Sequence, residues 1–336
     1  MIALQIGKVP PDVLQKLILP YAGAPREEVL LGPKYGEDCA VLDMGDYLLV
    51  LSTDPITGAV SGLGRLAVYI SSNDVAAAGA EPVGLLLNFL FPQGTTEGDV
   101  QQVVDEAHRA AEDINVAVLG GHAEVTDTVS QAVIAATSLG KVKRENLVSS
   151  SGARPGDEVI LTKWAGLEGT AILAADLEHE LKGKVPQESL EKAGELEQYL
   201  SVIPEGLAAA RAGATAMHDV TEGGVLGALM EIASASGVGM EIDKDAIPLL
   251  PETISLCRFL EIDPLGLISS GAMLITASPG DKVKRALNSA GIPAEVIGRI
   301  TPREEGLYLR SGGIKELLSA PSRDELFTVL ERFSGK

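Results

Sequence analysis

The sequence predicts a two-domain protein of the α/β (α+β) class, in which helices are layered on sheets. The chain has 336 residues, which is more than one hydrophobic core usually supports. Apolar residues make up 46% of it and aromatic residues only 4%, so the cores must be built from aliphatic side chains and alanine. A polar stretch between Lys141 and Asp157 divides the chain, and we place the domains at residues 1–148 and 149–336.

Each predicted element follows from the spacing of its apolar residues and from the Gly and Pro residues that end it. In the first half we predict helices over residues 11–19, 63–78 and 96–113, and strands over residues 39–42, 47–52, 83–91, 116–119 and 131–139. In the second half we predict strands over residues 158–162, 214–217, 239–242, 272–276 and 295–300, with helices starting at 171 and 225 and spanning 188–200, 205–212, 252–259, 282–290 and 323–333.

The charge and composition argue against several kinds of partner. A formal net charge of −20 opposes binding to nucleic acid or to an anionic membrane, and it disfavours free polyphosphate but not a metal-complexed phosphate. The longest apolar stretch, residues 84–91, is interrupted by Asn88 and is too short to cross a bilayer. Residues 1–11 lack the pattern of a signal peptide, and Cys39 and Cys257 provide no disulfide framework. We therefore expect a cytoplasmic protein.

The segment 218–224, with the sequence HDVTEGG, lies between a predicted strand and an amphipathic helix. The first N–H groups of that helix could bind an anion, and its two glycines would let a phosphate approach the backbone. Asp219 and Glu222 could hold the accompanying cation. The alternative is an ordinary capping turn with Thr221 as the N-cap residue.

Carboxylates recur where predicted strands begin or end. Asp38 starts one strand of a predicted hairpin and Asp54 follows the other, so their side chains should be neighbours that repel unless a cation or a proton intervenes. After the glycines at 120 and 121, His122 and Glu124 point to the same side of an extended chain. A structural turn histidine is the alternative interpretation of His122.

Taken in order, these segments resemble the motifs of the aminoimidazole ribonucleotide (AIR) synthase-related, or PurM-like, superfamily. Within it the chain is most similar to the hydrogenase expression/formation family, HypE, and the resemblance covers nearly the whole chain. The segments that carry it are residues 36–41 (GEDCAV), 52–54 (STD), 72–82 (SNDVAAAGAEP), 120–124 (GGHAE), 166–171 (GLEGTA) and 218–224 (HDVTEGG).

This resemblance implies an architecture and a cofactor. Four strands of the N-terminal domain would pair with those of a second subunit to close an eight-stranded barrel, so we expect a homodimer, because an open sheet would leave pairing edges exposed. The C-terminal domain would be α/β, with ATP in the cleft between the domains and Mg²⁺ bridging its phosphates to carboxylates. Mg²⁺ prefers hard oxygen ligands and keeps several waters, which suits scattered single carboxylates.

The resemblance also implies roles for individual residues. The residues assigned to Mg²⁺ are Asp38, Asp54, Asp74 and Glu124. The residues assigned to the nucleotide are Asn73, Gly120, Gly121, Thr221, Gly223 and Gly224. The catalytic candidates are His122, Lys163, Asp219 and Glu222, and for Lys163 a solvated strand end is the alternative.

The function that the resemblance implies is an ATP- and Mg²⁺-dependent enzyme that activates a small acceptor by phosphoryl transfer or by dehydration. One alternative is a non-catalytic nucleotide-binding scaffold that acts with a maturation partner protein. Another is a small-molecule kinase similar to thiamine-monophosphate kinase. HypE-type dehydration requires a C-terminal cysteine, whereas the sequence ends with residues 332–336 (RFSGK) and Cys257 falls in a predicted helix. We therefore do not expect HypE chemistry of this chain, and the missing cysteine motivates the scaffold alternative; the acceptor stays unknown.

Overall fold

The first domain is a six-stranded sheet packed against two long helices. The computed structural model describes Gly7, residues 9–57 and residues 62–334, so most of the segment considered for a signal peptide and the last two residues lie outside the described residues. The elements of this domain are α1 (Pro11–Leu17), β1 (Val29–Leu31), β2 (Ala40–Asp43), β3 (Leu48–Ile56), α2 (Leu63–Ala77), β4 (Glu81–Pro92), α3 (Glu97–Asp113), β5 (Ala117–Thr126) and β6 (Val133–Val142).

The strands of this first sheet lie in the order β1-β2-β3-β6-β4-β5. Every pair is antiparallel except β4 and β5, which the crossover helix α3 connects in parallel. The Thr96 side chain accepts a hydrogen bond from Asp99 N, and the Asp99 carboxylate accepts one from Thr96 N, so a capping box fixes the start of α3. The buried residues of α2 and α3 pack on β4 and β6. β5 is left as an edge strand.

The second domain is a seven-stranded sheet with a hydrophobic core on each face. Its strands, in the order β13-β12-β9-β11-β7-β10-β8, are antiparallel except for the pair β12 and β9. The elements are β7 (Glu158–Thr162), α4 (Leu167–Asp176), α5 (Glu178–Leu181), α6 (Gln187–Gly194), α7 (Ile203–Ala212), β8 (Ala216–Asp219), α8 (Gly224–Ser236), β9 (Gly239–Asp243), α9 (Pro251–Leu260), β10 (Met273–Ala277), α10 (Gly280–Ser289), β11 (Ala294–Thr301), β12 (Leu307–Ser311), β13 (Ile314–Leu317) and α11 (Glu325–Ser334).

Helix α2 joins the two domains because it is buried by both. Its residue Ala76 lies against α7 so closely that a Cβ at Gly206 would be 2.1 Å from the Ala76 carbonyl oxygen. The side chain of Asn73 reaches the backbone of the second domain from the same helix. A glycine at 206 therefore permits the backbone approach on which the interdomain contact depends.

The two-domain mixed fold that the sequence predicts is confirmed, but several elements differ. Three short strands, β1, β12 and β13, were not predicted, because they carry no extended alternation of apolar residues. The helix predicted over residues 188–200 is α6 followed by a separate 3₁₀ turn, Leu196–Tyr199. Helix α4 begins at Leu167 and not at the predicted residue 171, so Glu168 lies in its first turn. Among the described residues, no helix has the length and apolar character needed to span a bilayer.

Candidate functional site

A cavity of about 220 Å³ lies between the two domains. One end is acidic and is lined by Asp38, Asp54 and Asp74 from the first domain. We call the part of the lining formed by Ile172, Ile268, Leu326 and Phe327 of the second domain, together with Glu168 and Ser270, the apolar end. Interdomain cavities of this kind are the usual place for a small-molecule site.

The hydroxyl of Ser52 lies between the acidic residues of the first domain and contacts each of them. The Ser52 hydroxyl donates to Asp74 Oδ2 at 2.6 Å. The Ser52 Oγ atom also lies 3.5 Å from Asp54 Oδ2 and 3.0 Å from the carbonyl oxygen of Asp38. Asp38 precedes β2, Asp54 lies on β3 and Asp74 lies on α2, so the hairpin and the helix converge here. The expected proximity of Asp38 and Asp54 follows from the antiparallel pairing of β2 and β3.

The carboxylates of this end repel one another. Burial raises the pKa of Asp74 well above its ordinary value, and the charges of Asp219, Asp54 and Asp38 raise it further. Burial, together with the charge of Asp38, raises the pKa of Asp219 to about 7. Both carboxyl groups should therefore bind a proton or a nearby cation, because several buried, ionised carboxylates repel one another unless their charge is compensated.

His218 supplies part of the missing positive charge. Its Nε2 atom lies 3.5 Å from Asp38 Oδ2 and 3.4 Å from Glu231 Oε2, and its Nδ1 atom lies 2.6 Å from the carbonyl oxygen of Asp219. Burial alone would lower the pKa of His218, but the charges of Asp38, Glu231 and Asp219 outweigh it and raise that pKa to about 9. The imidazolium therefore acts as a buried counter-ion. Sequence reasoning missed this role, although His218 directly precedes Asp219 in its motif.

The donor set of the acidic end fits Mg²⁺. Ligand atoms of Asp38, His218 and Asp219 lie within 4.8 Å of one another, and Asp54 and Asp74 add carboxylates on the adjoining wall. The Oδ2 atom of Asp219 is buried without a hydrogen-bond partner. Hard oxygen donors carrying excess negative charge are what a divalent cation requires. A histidine with a pKa raised to about 9 carries a proton at neutral pH, so the carboxylates rather than this ring would hold the ion.

The turn before α8 contributes to the cavity, but not as a free helix N-terminus. Thr221 and Glu222 line the cavity. The N–H of Gly223 donates to Asp324 Oδ2 at 2.6 Å, so a carboxylate of the chain already occupies the helix end. A Cβ at Gly224 would lie 2.5 Å from the carbonyl oxygen of Leu265, so the close packing of these two backbone segments requires glycine here.

Thr221 is not the N-cap residue of α8, contrary to the alternative interpretation of this turn. The residue that precedes α8 is Gly223, in the left-handed conformation with φ 86°, and it makes no side-chain cap. Thr221 instead contributes its carbonyl oxygen, which accepts from Gly224 N at 3.0 Å. The turn is therefore closed by backbone groups and by Asp324, and no phosphate is needed to complete it.

The structure gives Asn73 a structural role in place of the expected nucleotide contact. Its side chain is fully buried, Nδ2 donates to the Leu200 carbonyl oxygen at 2.8 Å, and Oδ1 accepts from Val202 N at 2.9 Å. Both polar ends of the amide therefore bind the second domain. Asn73 holds α2 to the segment before α7 and lies outside the cavity lining.

Lys163 is likewise a structural residue, and neither the catalytic role nor a solvated strand end describes it. Its Nζ atom donates to the carbonyl oxygens of Tyr199, Ser201 and Gly271 at 2.8, 2.7 and 2.9 Å and lies 2.7 Å from Glu205 Oε1. Burial lowers the pKa of Lys163, although the carboxylate of Glu205 partly offsets this. The ammonium group is enclosed, so it is not available to a phosphate.

Residues 120–124 lie on β5, away from the cavity lining. His122 and Glu124 are both exposed, with Nε2 and Oε2 3.3 Å apart, so they share one side of the strand as expected. A Cβ at Gly121 would lie 1.8 Å from the Leu87 carbonyl oxygen, so β4 requires this glycine. A Cβ at Gly120 would meet only Leu86, at 4.0 Å. Within one chain, Glu124 is not brought to Asp38, Asp54 and Asp74.

Two polar residues of the apolar end were not expected as site residues. Glu168, in the first turn of α4, and Ser270, before β10, are buried and line the cavity. Burial raises the pKa of Glu168 to about 7. The sequence contains one indication, since Glu168 falls inside the GLEGTA segment, but its side-chain orientation depends on how α4 packs.

The chain matches two domain models of one family. Residues 36–142 match the N-terminal domain of AIR synthase related protein, and residues 154–309 match its C-terminal domain. A curated relative, the carbamoyl dehydratase HypE of Cupriavidus necator, is 31% identical over 256 residues, which cover 74% of this chain and 71% of the relative.

Two solved structures have the same fold. The chain is similar to a structure of a HypE–HypF complex, with a TM-score of 0.73, 26% identity and coverage of 85% of this chain and 93% of the other. It is also similar to HypE in complex with ATP, with a TM-score of 0.72, 24% identity and coverage of 94% and 95%. The chain belongs to the AIR synthase related family and, within it, to the HypE hydrogenase expression/formation proteins.

Proposed function

We propose that this protein is an ATP- and Mg²⁺-dependent enzyme that activates a small acceptor by phosphoryl transfer or by ATP-dependent dehydration. The observation that carries the proposal is the interdomain cavity, where acidic residues meet an apolar compartment. A relative named as a carbamoyl dehydratase and a similar structure named as an ATP complex support the same class of reaction.

The residues of the acidic end would hold the cation and, through it, the nucleotide. Asp38, Asp54 and Asp74 are the proposed Mg²⁺ residues, and Asp219 adds a buried carboxylate. When bound, Mg²⁺ would neutralise the negative charge of the phosphates and of these carboxylates. Ser52 orients Asp74 by its 2.6 Å hydrogen bond, and the His218 imidazolium holds Asp38 in place. Thr221 and Glu222 would face the nucleotide from the opposite wall.

The apolar end would exclude water from the reacting group. Ile172, Ile268, Leu326 and Phe327 line it, so an activated acceptor would be shielded from hydrolysis there. A kinase similar to thiamine-monophosphate kinase is less compatible with this lining. No Lys, Arg or His is among the described residues that line the cavity, so a phosphorylated acceptor, like ATP, would have to be held through Mg²⁺, and two phosphate-bearing ligands would compete for that cation.

Nucleotide binding is the first test. Calorimetry with Mg²⁺ and a non-hydrolysable ATP analogue should detect binding to the wild-type protein, whereas Asp54→Ala should weaken it at least tenfold. Asp46→Ala, an exposed change in the β2–β3 turn, is the matched control. No binding in the wild type, or unchanged binding in Asp54→Ala, would contradict the proposed site.

Turnover then separates an enzyme from a scaffold. ADP release should be measured across a panel of amide, amine and carbamoyl acceptors at saturating Mg²⁺ and ATP. Release that depends on one acceptor supports the enzyme. Binding without turnover over the panel would favour a non-catalytic nucleotide-binding scaffold, which a maturation partner such as the HypF of the similar complex could engage.

We also propose a homodimer built on the edge strand β5. Every described residue of this strand from Ala117 to Val125 is exposed, and the apolar side chains Val118, Leu119 and Val125 are 49%, 57% and 60% exposed. An apolar edge of this length favours pairing with a second sheet. Sedimentation should give a dimer that Leu119→Asp converts to a monomer, whereas a monomeric wild type at micromolar concentration would refute the pairing. The two buried free thiols, Cys39 and Cys257, suit the cytoplasmic location that we propose.

A further inference from the structure

A groove of about 500 Å³ lies on the surface of the second domain, between α9 and the turn that follows α5. The inward-facing residues of α9 are buried in the same cluster as α4, and they are Leu256, Cys257 and Leu260. The residues that line the groove are Lys184, Pro251, Ile254, Ser255, Arg258 and Phe259. We call it the α9 groove. It shares no lining residue with the interdomain cavity and is therefore a separate surface feature.

The floor of the α9 groove is apolar and open to solvent. Ile254 is 39% exposed and Pro251 is also exposed. Phe259 is half-buried and packs against the buried cluster, which fixes its ring while leaving part of it accessible. A shallow apolar depression on a rigid helix suits an anchoring side chain from a protein surface better than an enclosed small molecule.

Two cations border this floor. Lys184 Nζ lies 5.5 Å from the centre of the Phe259 ring, and Arg258 is exposed on the same face of α9. The described lining contains no Asp or Glu, although the chain has 47 acidic and only 27 basic residues. The groove is therefore a local excess of positive charge on an acidic protein. Carboxylates of a partner are the complementary groups.

We propose that the α9 groove is a docking site for a partner protein that presents an acidic segment with an apolar anchor. The anchoring side chain packs on Ile254 and Phe259, and the flanking carboxylates pair with Lys184 and Arg258. A guanidinium can bind a carboxylate through two parallel hydrogen bonds, which adds orientation to the contact. The net charge of −20 repels an acidic segment from most of the surface, so the groove also determines where this partner binds. The docking site does not depend on the nucleotide site.

Fluorescence anisotropy with three labelled peptides tests the charge and the anchor separately. The peptide EDFLEDF carries both features, QNFLQNF keeps only the apolar residues, and EDSSEDS keeps only the charges. EDFLEDF should bind the wild-type protein, and the other two should bind at least tenfold more weakly. Raising the NaCl concentration to about 0.5 M should weaken the binding of EDFLEDF, because salt screens exposed charges.

Substitutions in the groove identify the binding surface. Arg258→Glu and Lys184→Glu should each weaken EDFLEDF at least tenfold, and Ile254→Ser should do the same by removing the apolar contact. Arg285→Glu, the same change at an exposed arginine on α10, is the matched control and should leave the binding unchanged. All four variants change exposed residues, so their urea unfolding midpoints should stay close to that of the wild type.

Three results would overturn the docking site. They are no binding of EDFLEDF to the wild type, equal binding of QNFLQNF or EDSSEDS, and unchanged binding in both Arg258→Glu and Lys184→Glu. Equal binding of EDSSEDS would show that the groove attracts any anion. Each of these results leaves the proposed function standing, because that function is tested by nucleotide binding at the interdomain cavity.

Discussion

Asp324 Oδ2 accepts a 2.6 Å hydrogen bond from the N–H of Gly223, which places a carboxylate of the chain itself at the N-terminus of α8. The electrostatics of that helix end do attract an anion. The anion is internal, and the contact ties the beginning of α11 to the turn that lines the cavity. The glycines of the HDVTEGG segment therefore serve this junction and the packing of Gly224.

The first prediction concerns the stability of this junction. Asp324 accepts from the N–H groups of Gly223, Ile268 and Leu326, and it is 2% exposed. Asp324→Ala leaves these three groups without a partner, so we expect the free energy of unfolding to fall by about 2–4 kcal/mol. Urea denaturation measures the change. Asp281→Ala, an exposed first-turn residue of α10, is the control and should change it by less than about 0.5 kcal/mol.

The second prediction concerns the buried pair of Lys163 and Glu205. Lys163→Met removes the cation, leaving the Glu205 carboxylate and three carbonyl oxygens unpaired, so we expect a loss of about 3–5 kcal/mol. The double variant Lys163→Met/Glu205→Leu should be less destabilised than the single one, because no uncompensated charge remains. A double-mutant cycle in urea measures the coupling. Additive losses would show that the two side chains act independently.

Much of the fold could be predicted from the sequence because its signals are local. The period-3.6 pattern of α2 and the alternation of helices and strands identify both domains. β13 pairs with β12 across the Gly312-Gly313 turn, a local hairpin signal that was overlooked, whereas β12 could not be predicted because it pairs with β9, more than sixty residues earlier in the chain. Strands of this kind are specified by tertiary contacts.

The candidate site was predictable where the residues are linked by local pairing. Asp38, through its carbonyl oxygen, and Asp54, through its carboxylate, both lie beside the Ser52 hydroxyl because β2 and β3 form a hairpin, which the short turn between them indicates. The partners of Asn73 lie near residue 200, so sequence alone could not distinguish a nucleotide contact from an interdomain bond. Glu168 was overlooked for the same reason, because its burial arises from the loop that contains Ser270.

The third prediction follows from the repulsion within the acidic end. In the absence of metal, Asp74→Asn removes one carboxylate whose pKa burial and neighbouring charges raise well above its ordinary value, and the amide still accepts the hydrogen bond of Ser52. We expect the melting temperature at pH 8 in EDTA to rise by about 2–4 °C, which corresponds to about 1 kcal/mol. The stabilisation by Mg²⁺ and nucleotide should be lost.

The control for this prediction is Asp46→Asn, the same change at an exposed turn residue. It should alter neither the metal-free melting temperature nor the response to Mg²⁺ and nucleotide. A lower melting temperature in metal-free Asp74→Asn would show that the Asp74 carboxylate stabilises the fold. That result would contradict a cation site and indicate a structural role for Asp74.

The fourth prediction is a pH dependence of stability that depends on Glu168. Burial raises the pKa of Glu168 from 4.5 to about 7, so the folded state binds the proton more tightly than the unfolded state. The contribution of this tighter proton binding to the free energy of unfolding is fully present below pH 4.5 and is lost as the pH rises through about 7. By pH 8 the loss should approach about 3 kcal/mol, at about 1.4 kcal/mol for each pKa unit.

Glu168→Gln isolates this contribution because glutamine does not titrate. The unfolding free energy of the wild type, minus that of Glu168→Gln, should decrease by up to about 3 kcal/mol between pH 4.5 and 8. Urea denaturation in metal-free buffer at several pH values measures the difference, and groups common to both proteins cancel in it. Glu178→Gln, an exposed change of the same kind, is the control. A difference independent of pH would mean that Glu168 is ionised throughout this range and that a partner already compensates its charge.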